Sequence, residues 1–142
     1  MNRTMAVAHK NKTFATFLAA FLGAAGLHRF YLAGFRDFWG WAHLLATFLG
    51  LLLFLAGGNR PAFFSLMPAI LSGIVAIIEA LVIGLTPDDK WDARHNAGSG
   101  RRSDSRWPLA VLLVFTVGAG AIAVIGTLAR TFDLLFTGGS FG

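Results

Sequence analysis

Between Ala62 and Thr86 the chain reads AFFSLMPAILSGIVAIIEALVIGLT, with Glu79 as its one charged side chain. An α-helix rises 1.5 Å per residue and needs about 20 residues to cross about 30 Å of hydrocarbon, so this stretch is long enough to span a bilayer. Phe38 to Gly57 passes the same test with His43 as its one titratable group, and Pro108 to Ala129 passes with no charge at all. A fourth apolar segment is marginal. Thr13 to Leu27 supplies only about 22 Å of helix before His28 and Arg29, so residues 13–35 either cross by carrying those polar groups inward or dip in and return. The expected fold is all-α: a polytopic helical membrane protein with spans near 38–57, 62–86 and 108–129 and a marginal or re-entrant segment near 13–35.

Composition supports this. A chain that is 56% hydrophobic and 13% charged is too apolar for an ordinary soluble domain. Seventeen Gly and fourteen Phe suit close-packed helices facing lipid. Twelve Lys and Arg against seven Asp and Glu give a net charge of +5, which anionic head groups would attract. Nucleic acid is not expected as a partner, because no polar domain is large enough to present a basic face. The chain has no cysteine, which excludes disulfides and thiolate chemistry.

The breaks divide the chain into a short basic tail (1–12), a membrane domain (13–92), a flexible polar loop (93–106) and an additional span with a short tail (107–142). GGNRP at Gly57 to Pro61 is rich in helix breakers and starters, which predicts an antiparallel hairpin between the second and third segments. Pro87 to Arg106 mixes charges with Gly and Ser and is expected to be a solvated loop. Trp39, Trp41, Trp91 and Trp107 fall near span ends, where amphipathic rings favour the head-group boundary. Lys10 and Lys12 before an apolar run ending FLGAAG also have the outline of a signal peptide, but the chain's most specific motif follows at once and argues for a retained segment.

That motif is KNKTFATFLAAFLGAAGLHRFYLAGF, Lys10 to Phe35. It resembles the opening of the two-transmembrane-domain (TM-two) family, with Lys10, Lys12, Leu22, Gly23, Gly26, His28, Arg29, Phe30, Tyr31 and Leu32 matching in order. Ala33 departs from the pattern and moves the final glycine to Gly34. SGIVAIIEALVIGLTPDDKWD is similar to the family's closing block, with Glu79 where an Asp is usual. The resemblance covers roughly Lys10 to Asp92 and leaves the last span outside it. It implies no established biochemical activity, and for animal relatives it implies a cytoplasmic motif-bearing loop.

The residues also have a physical reading of their own. Ala15, Ala19 and Gly23 recur every fourth residue and form a small-residue face suited to close helix packing. Gly26 and Gly34 bracket LHRFYLA and mark candidate breaks or tight turns. Arg29 costs about 2.5 to 3.5 kcal/mol at a helix centre unless it reaches water, phosphate or a carboxylate. It can snorkel to the boundary beside Phe30 and Tyr31 or pair with Glu79, with Asp37 as a competitor. Glu79 itself can be a helix-locking ion pair or a proton carrier, and His43 an interfacial hydrogen-bonding group or a titrating one.

No catalytic constellation, metal-ligand spacing or phosphate loop is present, so no enzyme activity, metal or cofactor is expected. The expected function is non-catalytic: a helix-packing or interaction module with a membrane-protein partner or a second copy of itself. The alternative is a small ion- or proton-coupled transport component using Glu79, His43 and Arg29. Placing Lys- and Arg-rich segments inside predicts a cell (plasma or bacterial inner) membrane location, with the His28 to Phe30 turn and the 87–106 loop cytoplasmic. A re-entrant first segment sharpens this bias, leaving only Arg60 and Arg130 on the other side.

Overall fold

The computed structural model describes residues 8–140, so Arg3 and most of the basic tail, like the last two residues, lie outside the described part. Six α-helices and one 3₁₀ turn make up the fold, with no strand among the described residues. Three helices are long and apolar enough to cross a membrane: α3 (Phe38–Leu55), α4 (Ala62–Leu85) and α6 (Trp107–Phe136).

The first segment is not a fourth span. Helix α1 (Lys12–Leu22) is 11 residues long, about 16 Å, and is capped by the Asn11 side chain, which accepts from the Phe14 amide. A 3₁₀ turn at Gly23–Ala25 and the left-handed Gly26 (φ 75°) reverse the chain into α2 (Leu27–Ala33). Tyr31 then lies back beside the start of α1, where its hydroxyl oxygen accepts from the Asn11 amide at 2.9 Å. Lys10 Nζ donates to the Tyr31 carbonyl at 2.6 Å. Both ends of the α1–α2 unit therefore sit at one end of the bundle. An arrangement with four full crossings would separate them by the thickness of the bilayer.

The apex of this hairpin reaches the middle of α3 and α4, where an unpaired backbone carbonyl would be costly. The Ala24 carbonyl is satisfied there by the Thr47 hydroxyl at 2.5 Å and the Ser72 hydroxyl at 2.9 Å. Gly26 makes the close approach possible, because a Cβ at that position would overlap the Gly40 carbonyl oxygen.

Helix α4 is the central element. Its buried Ser72, Ala76, Ala80 and Gly84 recur every fourth residue and form one small-residue face. The anticipated stripe on α1 packs into that face, and a Cβ on Gly23 would come within 2.5 Å of the Ala76 Cβ. Thr16 and Leu113 meet at Gly84, and Ile77 meets Gly120, which sets both α1 and α6 antiparallel to α4. The α3–α4 hairpin forms as expected. Gly57 and Gly58 turn the chain with positive φ, and Gly50 packs on Ala69.

The polar connection after α4 differs from the expected solvated loop. Asp88–His95 is helix α5, with acids in its first turn and Arg94 and His95 in its last, matching the helix dipole. Trp91 is 2% exposed rather than at a lipid boundary, and its indole donates to the Lys10 carbonyl at 3.1 Å. The apparent free tail residue Lys12 is buried against Asp88 at 2.5 Å and the Thr86 carbonyl at 2.8 Å. Residues 96–106 are tied down by Ser103, which donates twice to Asp92, and by Ser105, which donates twice to Asp88. Helix α6 also continues past the predicted Ala129 to Phe136, enclosing an Arg130–Asp133 pair at 2.5 Å.

Asn96 and Ser103 donate to Asp92 and hold its carboxyl down at about 2. For Asp88, burial opposes the charge, but donation from Lys12 and Ser105 outweighs it and keeps the carboxyl below the usual range. A depressed folded value contributes stability above the unfolded value and loses it as pH falls through the folded one. The Ser103 amide resonance of the detergent-solubilised chain should therefore stay at its anchored position through pH 4 and move only as pH approaches 2. Movement in the ordinary carboxylate range would contradict the anchoring.

Alanine at Gly26 should cost about 2–5 kcal/mol of unfolding free energy, left-handed strain plus overlap with Gly40. Gly57→Ala, at φ 65° in open space, should cost only the strain, about 1–2 kcal/mol. Equal losses in denaturant titrations would contradict the tight apex.

Candidate functional site

The cluster is centred on Glu79, two helical turns along α4 from Ser72 and on the same face. Its Oε2 lies 2.6 Å from His28 Nε2 on α2 and 3.1 Å from His43 Nε2 on α3. Its Oε1 accepts from the guanidinium of Arg29. Four side chains from three helices thus meet at one carboxylate, within the apolar part of the bundle. Glu79 and Arg29 cancel in charge, which removes most of the cost of placing either there.

Each polar partner is itself held. His43 Nδ1 is 2.8 Å from the Ser72 hydroxyl, and the His43 ring stands 5.6 Å from that of His28, edge to face. The Ser72 hydroxyl has one proton and two acceptors in reach, the Ala24 carbonyl and His43 Nδ1, and because Thr47 also donates to Ala24 it can turn to His43. That assignment puts the ring proton on Nε2, aimed at Glu79. His28 is wholly buried and engages only through Nε2; its Nδ1 has no hydrogen-bond partner. Gly23 makes room for this ring, since a Cβ there would come within 3.3 Å of Nδ1.

The other motif residues staple the hairpin. Phe30 packs on Gly40, where a Cβ would approach its ring to 2.6 Å, and against Phe35 and Trp41 with ring centroids 5.4 and 5.5 Å away. The Tyr31 ring meets Phe14 edge-on at 5.2 Å and carries Lys10 Nζ 4.8 Å above it. Phe30 and Tyr31 are thus protein contacts before they are lipid anchors. Gly34 ends α2 at φ 79°, its amide donating to the Phe30 carbonyl. Asp37, the competitor for Arg29, instead caps α3 by accepting from the Gly40 amide at 2.7 Å.

A cavity of about 340 Å³ opens beside the cluster, lined by Arg29, Leu32, Asp37, Glu79, Trp91 and His95 among others. Burial, with Arg94 and Lys10 nearby, lowers the His95 value below its ordinary one, so His95 faces this space largely uncharged at neutral pH. Glu79 keeps 18% of its side chain exposed, so the carboxylate remains reachable from the cavity. The sequence marked Arg29, Glu79 and His43 but not the convergence of His28 and His43, and it passed over Thr47 and Ser72. The seven-residue spacing of Ser72 and Glu79 was the signal that could have joined them.

No protein-family model, curated protein or solved structure matches this chain. Its class is therefore set by its own architecture: a helical membrane protein with a polar cluster inside the bundle.

If Arg29 and Glu79 are coupled, Arg29→Met and Glu79→Gln should each destabilise the chain in detergent, and the double variant should lose less than the two losses added. A coupling of about 0.5–3 kcal/mol is expected from thermal or denaturant unfolding. Additive losses would mean that the two charges act independently.

Proposed function

We propose that the chain is a small multi-pass integral membrane protein of the TM-two domain type that acts without catalysis, as a helix-packing and interaction module. Its His-Arg-Phe-Tyr segment, expected as a turn but helical in α2, lies toward the cytoplasmic side of the cell membrane, and its partner is a membrane protein or a second copy of itself. The observation that carries this reading is the closure of the motif on itself. Arg29 and His28 are spent on Glu79, Tyr31 on Asn11 and Phe30 on Gly40, so the motif's side chains, polar and apolar, are used to build the fold.

Two further features support it. Exposed Arg36, Arg94, Arg101 and Arg102 gather at the end that carries Tyr31 and α5, opposite Arg60, a bias suited to a cytoplasmic face rich in anionic head groups. The outer faces of α3 and α6 carry exposed Phe48, Leu52, Val114, Ile122 and Ile125, available to lipid or another helix.

Photo-crosslinking residues at Leu52 and Ile125, introduced one at a time, should yield a discrete protein adduct in native membranes. Adducts with lipid alone would defeat the interaction reading. Proton flux in reconstituted vesicles that Glu79→Gln abolishes would replace it with transport.

A further inference from the structure

We propose that His28, His43 and Glu79 form a binding site for a first-row divalent cation of the zinc type. The inference goes beyond the interaction reading and does not rest on it. His28 Nε2, His43 Nε2 and a Glu79 carboxylate oxygen all lie within 4.8 Å of one another. Two imidazoles and one carboxylate are a donor set that such cations take readily, with metal–ligand bonds of about 2.0–2.2 Å. Tetrahedral bonds of that length place neighbouring donor atoms about 3.3 Å apart. The present separations from Oε2, 2.6 and 3.1 Å, reach that spacing when the His28 ring draws back by about 0.7 Å and the His43 ring by about 0.2 Å.

The surroundings suit a metal in three respects. The donors come from three different helices, and both rings are buried, so the site is held by packing. To offer Nε2 to a metal, His43 must carry its ring proton on Nδ1. Ser72 Oγ accepts a hydrogen bond from that Nδ1–H when its own hydroxyl donates to the Ala24 carbonyl at 2.9 Å, an outer hydrogen bond of the kind that orients metal-binding histidines. The cavity beside Glu79 leaves space for water at a fourth position.

Arg29 is the opposing feature, and it makes the proposal specific. Its guanidinium holds Oε1 and leaves Oε2 to the histidines, so a cation can enter without displacing it. Its positive charge nevertheless repels a dication. Removing it should weaken the metal-free fold and strengthen metal binding, opposite effects that a purely structural cluster does not produce.

The test uses the full chain, purified in detergent without a polyhistidine tag, stripped of metal and titrated with Zn2+ in a calorimeter. One saturable site per chain is expected. His28→Ala and His43→Ala should abolish it, Ser72→Ala should weaken it roughly tenfold, and Arg29→Met should bind more tightly than the unmodified chain. Because the histidine variants remove buried contacts and can fail to fold, the unmodified chain is also examined by X-ray absorption at the zinc edge. A shell with two imidazoles and oxygen ligands supports the site. Absence of saturable binding to the unmodified chain, a shell without two imidazoles, or binding that persists in a folded His28 or His43 variant overturns it.

Discussion

The bundle depends on the Glu79 carboxylate being engaged on both oxygens where three helices meet. A lone carboxylate on the central helix would oppose every apolar contact around it. Arg29 neutralises the charge, and His28 and His43 supply donors to the other oxygen. Because these partners come from α2 and α3, satisfying one side chain also fixes how two helices sit on α4. The chain thereby turns its most expensive residues into the contacts that set its register.

A second constraint acts on the backbone. The α1–α2 unit reverses through a 3₁₀ turn and a left-handed glycine, so the carbonyls there lack the partners that a continuous helix would give them. Thr47 and Ser72 meet the Ala24 carbonyl at the apex. Ser72 also contacts His43, and so joins the backbone of the apex to the Glu79 cluster. Small residues make this proximity possible. The Ala15, Ala19 and Gly23 face of α1 and the Ser72, Ala76, Ala80 and Gly84 face of α4 bring the backbones close enough for short hydroxyl and imidazole side chains to bridge them.

Just beyond the C-terminal end of α4, polarity does similar work in a wetter setting. Lys12, Asp88, Asp92, Asn96, Ser103 and Ser105 bind the start of α1, helix α5 and the approach to α6 into one cap. Glycine and serine between residues 96 and 106 read as a flexible linker because composition reports what a segment can do when nothing holds it. Here the acids of α5 hold it. Trp91 followed the same logic, since an indole near a span end suits the head-group boundary until a neighbouring backbone carbonyl offers its N–H a partner inside the protein.

Length and apolarity by themselves determined the three long helices, because the distance across hydrocarbon and the rise of an α-helix leave little freedom. The same reasoning showed that the first segment was too short to cross with ease, and Gly26 and Gly34 marked where it breaks. Only the tertiary structure decided that the segment returns to its starting end, that Arg29 takes Glu79 while Asp37 caps a helix, and that two histidines fifteen positions apart face one oxygen. Hydropathy is a property of local composition and can be read along a chain. A charge pair is a property of distance across it, and here that distance is set by how closely the small faces of α1 and α4 pack.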